Sequence, residues 1–219
     1  MRFDAVLFDL DGTLVDSAPD LGGAANDLRA RHGLPPLPLS DYRALCGSGA
    51  RGMLRAGFGL APGDAAYEAL RDEFLAIYAL RLLEQTSVFQ GIDGLLAGIE
   101  GHPRPWGVVT NKAVRLAAPL LEGLALAPRA AVLVGGDTTP HTKPHPAPLL
   151  HAAQALGVPP SRCVYVGDDR RDMLAGRAAG MTTVAVAWGY LGPGESPADW
   201  NADHLADSPQ ALLNWLQLA

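Results

Sequence analysis

Lysine is almost missing from this chain. Of 17 cationic side chains only Lys112 and Lys143 are lysines, and the rest are arginines. Codon bias is sufficient to account for an excess of arginine. It does not account for lysine kept at two places, because a compact ammonium and a planar guanidinium are not interchangeable where a point charge must fit. Both lysines are therefore candidates for chemistry, Lys143 ahead of Lys112. Cysteine is scarce as well. Cys46 and Cys163 form no metal or redox spacing, and Cys163, which opens an apolar stretch, reads as a small buried hydrophobe. No uncharged apolar run is long enough to span a bilayer. Asp4, Asp9 and Asp11 interrupt the stretch a signal peptide would need, so a cytoplasmic protein with no membrane partner is expected. Internal repeats and low-complexity tails are absent. The net charge of −6 argues against a nucleic-acid surface. It leaves open a small anionic ligand, which a local cluster of cations can hold.

What is present fits an α/β chain with an insert. A length of 219 residues at 48% apolar content is ample for a packed core. Ala5-Val6-Leu7-Phe8 is the apolar run of a buried parallel strand. From residue 84 onward, apolar runs alternate with helical ones. Strands are expected at 105–110, 131–134, 163–167 and 182–187, with a short extension near Leu205. Helices are expected at 114–123, 146–156, 171–179 and 209–218, several with Pro in the first turn or Gly just past the end. The alternation implies a doubly wound, Rossmann-like parallel sheet built from residues 1–14 and 84–219. Between 15 and 83 it stops. Residues 21–31, 42–55 and 65–83 look helical, with no strand among them. An inserted helical cap that closes over the strand ends is preferred to helices that merely cover a sheet face. The Gly- and Pro-rich loop from 189 to 199 is expected to pack on the surface.

The strand ends carry the polar groups. The first strand ends in Asp9-Leu10-Asp11-Gly12-Thr13, two carboxylates two residues apart. Asp-Gly is also a common turn, but open α/β sheets bind ligands at this edge. One carboxylate there can act as nucleophile while the other manages a proton. The next strands lead to Thr110-Asn111-Lys112, to Lys143-Pro144 ahead of a helix, and to Gly167-Asp168-Asp169 with Asp172. Each is weak alone, since Thr-Asn can cap a helix and Gly-Asp-Asp can turn. Together they put a nucleophile, a hydroxyl, a lysine and an acidic cluster at one sheet edge.

These four motifs, in this order, resemble the haloacid dehalogenase superfamily of phosphohydrolases over nearly the whole chain. Thr110-Asn111-Lys112 and Lys143-Pro144-His145-Pro146 are most similar to its phosphoglycolate phosphatase branch. Gly47-Ser48-Gly49-Ala50-Arg51 and Gly189-Tyr190 also resemble relatives acting on N-acetylmuramic acid 6-phosphate. Asp169 stands where that branch commonly has Ser or Thr, and its role stays open.

The resemblance implies Mg²⁺-dependent hydrolysis of a small phosphate ester through an aspartyl-phosphate. Asp9 would be the nucleophile, and Asp11 would protonate the leaving oxygen and then activate water. Mg²⁺ would be held by Asp9, Asp168 and the Asp11 backbone carbonyl. Lys143 would neutralise phosphoryl charge, and Asp172 would orient Lys143 or hold a bound water. Thr110, Asn111 and Thr13 would bind substrate oxygens. Lys112 has two readings, substrate contact or solvated first-turn residue, the second preferred. His141 and His145 are taken as loop residues without metal spacing. In the cap, Arg51 follows a Gly-rich step and could pair with a substrate carboxylate, on equal terms with a plain solvated helix face. A phosphomutase on the same scaffold remains an alternative, and a non-catalytic binding module is the weakest one. A monomer and a homodimer are both compatible with the sequence.

Overall fold

The computed structural model describes residues 3–192 and 194–218. Strand β1 (Ala5–Phe8) comes first. A two-residue strand β2 (Val15–Asp16) then leads into helices α1 (Ala18–Arg31), α2 (Ser40–Arg43), α3 (Gly49–Phe58) and α4 (Tyr67–Arg81). Strand β3 (Ser87–Val88) returns antiparallel to β2, pairing Val15 with Val88 and Asp16 with Ser87. The chain continues through α5 (Ile92–Glu100), β4 (Trp106–Val109), α6 (Val114–Gly123), β5 (Leu133–Val134) and α7 (Ala147–Leu156). It ends with β6 (Cys163–Gly167), α8 (Arg170–Ala178), β7 (Thr182–Val186), β8 (His204–Ala206) and α9 (Pro209–Leu218). Among the described residues no helix is long and apolar enough to cross a membrane.

Six strands form one parallel sheet in the order β5-β4-β1-β6-β7-β8. Alternate residues of the central strands fill two different cores, as the period of two requires. Val6, Phe8, Val108, Val164 and Val166 face α5, α6 and α9, whereas Ala5, Leu7, Val109 and Tyr165 face α7 and α8. Each fully buried aliphatic or aromatic side chain contributes about 1.5–3 kcal/mol. The register sets Phe8 level with both Val108 and Val166. The residues that follow these three strands therefore emerge side by side. The chain also changes direction around β1, with β4 on one side and β6 on the other, so the crevice outside the strand ends is a switch point suited to a ligand.

The four helices between β2 and β3 have their own apolar cluster, built on Leu21, Leu28, Tyr42, Met53, Phe74 and Tyr78. The expected helix over 42–55 is interrupted. A 3₁₀ turn at Cys46–Ser48 precedes α3, and Gly49 sits at φ +55, a conformation that favours glycine and breaks the helical path. Neither α5 nor the β2–β3 ribbon was expected. The loop after β7 also departs from expectation. Tyr190 is buried rather than laid on the surface, because an aromatic ring with a polar tip packs inward once that tip finds a partner. Pro193 in this loop lies outside the described residues.

Candidate active site

Lys143 stands at the centre of the site. Its side chain is 3% exposed, and its ammonium lies 2.8 Å from Asp9 Oδ1 and 2.7 Å from Asp172 Oδ1. It also donates to the Tyr165 hydroxyl at 2.8 Å, which donates in turn to the Val109 carbonyl. Burial alone would lower the lysine, but Asp172 and Asp9 outweigh it and hold the ammonium above the usual lysine range. The loop that carries Lys143 is fixed by Asn111. The Asn111 side chain accepts from the Lys143 N–H at 2.9 Å and donates to the Lys143 carbonyl at 3.0 Å. Asn111 was expected to bind a phosphoryl oxygen, but its carbonyl oxygen and one amide proton are committed to the backbone that aims Lys143.

Asp168 is buried at the end of β6. It accepts from the Thr13 hydroxyl at 2.9 Å and from the Tyr190 N–H at 2.8 Å. Thr13 is itself buried, so its hydroxyl orients Asp168 instead of meeting a substrate as expected. Gly12, at φ +86, lies so close that a side-chain carbon there would overlap the Asp168 carboxylate. One oxygen from each of Asp9, Asp168 and Asp172 falls within 4.8 Å of the others. Burial, followed by the charges of Asp9 and Asp172, pushes Asp168 well above the usual carboxylate range. Asp172 is pushed up as well, by burial first, against the pull of Lys143. Carboxylates crowded in this way cannot all ionise cheaply without a cation. An all-oxygen donor set suits a hard divalent ion such as Mg²⁺, so the residues present fit that metal. The Asp11 carboxylate is not part of the group.

Asp11 is held elsewhere. Lys112 donates to Asp11 Oδ1 at 2.6 Å, and the Ser17 hydroxyl donates to the same oxygen. Lys112 also donates to the Tyr78 hydroxyl of α4 at 2.9 Å, with its ammonium 4.9 Å from the centre of that ring. The Lys112 side chain is only 8% exposed, which overturns the solvated reading. Burial would lower this ammonium, but Asp11 and Tyr78 raise it further. Thr110, buried at the end of β4, accepts from the Lys112 N–H. Among the described residues its own hydroxyl proton has no protein acceptor.

The open role of Asp169 also resolves. It caps α8 through the Arg171 N–H, in a capping box completed by Asp172. The Arg171 guanidinium grips Asp169 at 2.8 and 2.7 Å and donates to the Gly47 carbonyl of the helical insert at 2.6 Å. A cavity of about 820 Å³ opens over these groups. Asp9, Asp11, Thr110 and Lys143 line its floor, and Arg51, Tyr67, Phe74 and Tyr78 its roof. Arg51 is exposed and, among the described residues, has no ion-pair partner. Sequence reasoning missed Ser17, Tyr78, Tyr165 and Arg171, and noted Tyr190 only as part of a motif without a role. Only the hydroxyl on Tyr165, in an otherwise apolar strand, hinted at a buried polar contact.

With this geometry in place, the similarities to known proteins are specific. Residues 3–180 match the family model for haloacid dehalogenase-like hydrolases. The chain belongs to that family. It is 46% identical over 219 residues to the N-acetylmuramic acid 6-phosphate phosphatase of Pseudomonas aeruginosa, covering 100% of this chain and 97% of the relative. It is 47% identical over 213 residues to the phosphoglycolate phosphatase of Xanthomonas campestris pv. campestris, covering 97% and 96%. The crystal structure of a predicted phosphoglycolate phosphatase from Haemophilus somnus superposes with a TM-score of 0.88 at 25% identity, covering 99% of both chains.

Proposed function

We propose that this chain is a magnesium-dependent phosphomonoester hydrolase that works through an aspartyl-phosphate on Asp9. Residues 15–83 act as its cap, and its substrate is a small phosphate ester that also carries a carboxylate. The observation that carries this reading is the Asp9–Lys143–Asp172 contact beside Asp168: a strand-end carboxylate held against an ammonium, with two further acids within reach of one cation. Mg²⁺, when bound by Asp9 and Asp168 with the Asp11 carbonyl, would neutralise phosphoryl oxygens and let the carboxylate approach a dianion. Lys143 adds fixed positive charge on the same side. Thr110 offers its unengaged hydroxyl proton to a phosphoryl oxygen. Asp9 attacks phosphorus, and the P–O bond to the leaving group breaks as Asp11 gives that oxygen a proton. Water then attacks the phosphorus of the aspartyl-phosphate and returns a proton to Asp11, which frees Asp9 and inorganic phosphate. Every group in this scheme comes from one chain, so a single copy suffices, and we place the enzyme in the cytoplasm.

Arg51 in the roof is the proposed partner of the substrate carboxylate. Phosphoglycolate and N-acetylmuramic acid 6-phosphate both satisfy this chemistry. The cavity volume favours the larger ester, since pockets of roughly 300–1,000 Å³ hold ligands far bigger than a two-carbon acid and Tyr67, Phe74 and Tyr78 supply apolar walls. Phosphate release should be measured with 2-phosphoglycolate, N-acetylmuramic acid 6-phosphate and the carboxylate-free N-acetylglucosamine 6-phosphate, each with Mg²⁺ and with EDTA. The expected result is Mg²⁺-dependent release, preferring the carboxylated esters. Release that ignores EDTA, a positional isomer in place of free phosphate, or equal rates on all three esters would overturn the respective part of the proposal.

A further inference from the structure

Lys112 joins the two halves of the molecule. Its backbone belongs to the sheet edge, where the N–H donates to Thr110 Oγ1 at 3.1 Å and the carbonyl accepts from the Gly136 N–H at 2.9 Å. Its head group reaches Asp11 at 2.6 Å and, in the helical insert, the buried Tyr78 hydroxyl at 2.9 Å. The contacts at Asp11 are lopsided. Lys112 and Ser17 both donate to Oδ1, and among the described residues no group donates to Oδ2. Two donors on one oxygen pin the carboxyl group against rotation and leave the other oxygen without a protein donor, on a residue that lines the cavity.

We propose that Lys112 is a positioning residue. It locks the Asp11 carboxyl so that Oδ2 faces the reacting phosphoryl group, and it is itself held by Tyr78, so proton transfer at Asp11 depends on the insert being seated on the core. The proposal rests on Asp11 being the acid and base of the function proposed above. The step it serves is the transfer of one proton from Asp11 to the leaving oxygen as the P–O bond breaks, and the return of one proton from the attacking water as the acyl phosphate opens. Misplacing that carboxyl by a fraction of an ångström weakens only chemistry that needs the proton. An alkyl phosphate leaves as an alkoxide and needs it. A p-nitrophenyl phosphate leaves as a stabilised phenolate and hardly does.

The test measures kcat/KM for the Mg²⁺-loaded full chain on 2-phosphoglycolate and on p-nitrophenyl phosphate. The variants are Asp11→Asn, Lys112→Met, Tyr78→Phe and the Asp11→Asn/Lys112→Met pair. General acid catalysis contributes about 10²–10⁴-fold. Lys112→Met is therefore expected to lose about 10²-fold or more on the alkyl ester and under about 10-fold on the aryl ester. Tyr78→Phe should lose less, with the same bias. The double variant should be no worse than Asp11→Asn alone, as expected of residues that act as a unit. Equal losses on both esters for Lys112→Met, with the bias present in Asp11→Asn, would overturn the role of Lys112 and leave Asp11 intact. An Asp11→Asn variant without the bias would overturn the underlying reading of Asp11. Should Lys112→Met fail to fold, Tyr78→Phe decides: wild-type rates on both esters would overturn the coupling to the insert.

Discussion

The backbone N–H of Tyr190 donates to Asp168 Oδ2 at 2.8 Å, while the hydroxyl of the same residue lies against the start of α1. One residue thus spans from a proposed metal ligand to the first turn of α1. The hydroxyl accepts from the Ser17 and Ala18 N–H groups at 2.7 and 3.0 Å and donates to Asp16 at 2.9 Å. Ser17 supplies no side-chain cap to α1, because its hydroxyl is spent on Asp11. Tyr190→Phe keeps the ring and the N–H but orphans the buried Ser17 N–H and leaves the Ala18 N–H only its longer bond to Asp16 at 3.3 Å. Chemical denaturation should show a loss of about 1–3 kcal/mol, with Mg²⁺ binding retained. Unchanged stability would mean that water replaces the hydroxyl.

Lys143 calls for a compact charge. Its side chain is 3% exposed, with the ammonium among Asp9, Asp172 and Tyr165. A guanidinium is planar and larger, so Lys143→Arg should not rescue function. Steady-state kinetics should show a fall in kcat of at least about 10²-fold, the range seen when one transition-state donor is removed. Lys143→Met should cost roughly 3–5 kcal/mol in urea titrations, because it leaves buried carboxylates unpaired. A near-wild-type kcat for Lys143→Arg would remove the steric part of this account.

Protons and the metal compete for Asp168. Its folded-state affinity for a proton is raised by burial and by Asp9 and Asp172. The sign follows directly. A carboxyl whose folded pKa lies above its unfolded 3.8 contributes stability that is fully present below 3.8 and is lost as pH rises toward the folded value. In EDTA this contribution falls with rising pH, and a bound cation removes the cause. The thermal shift produced by Mg²⁺ should therefore grow from pH 5 to pH 8. At a hundredfold excess over Kd it should correspond to about 2.7 kcal/mol. Asp168→Asn should abolish it. A shift that is independent of pH, or that persists in Asp168→Asn, would contradict the metal site.

The sheet was legible because its strands are apolar runs set off by turn residues. Cys163–Gly167 was expected at its observed limits, and the edge on which Asp9, Thr110 and Asp168 emerge followed from the parallel alternation. Elements of two residues, such as Val15–Asp16, carry no periodicity to read, and the break at Gly49 hid inside a helical pattern. Roles that depend on distant partners were least accessible. Lys112 was misassigned because its counter-ion Asp11 is 101 residues away in the chain. Asn111 and Thr13 carry polar groups suited to a substrate, and only the fold reveals that Lys143 and Asp168 claim them first. Tyr165 reads as core and is core, yet its hydroxyl completes the Lys143 contacts.

The central claim is that Asp9 carries the phosphoryl group. The most direct measurement is a rapid acid quench of the Mg²⁺-loaded enzyme during turnover, followed by borohydride reduction and peptide mapping. Reduction of an acyl phosphate should convert position 9 to homoserine, in an amount that rises in a burst and is absent from Asp9→Asn. A modification mapped to another residue, or no covalent phosphate while turnover proceeds, would contradict the mechanism.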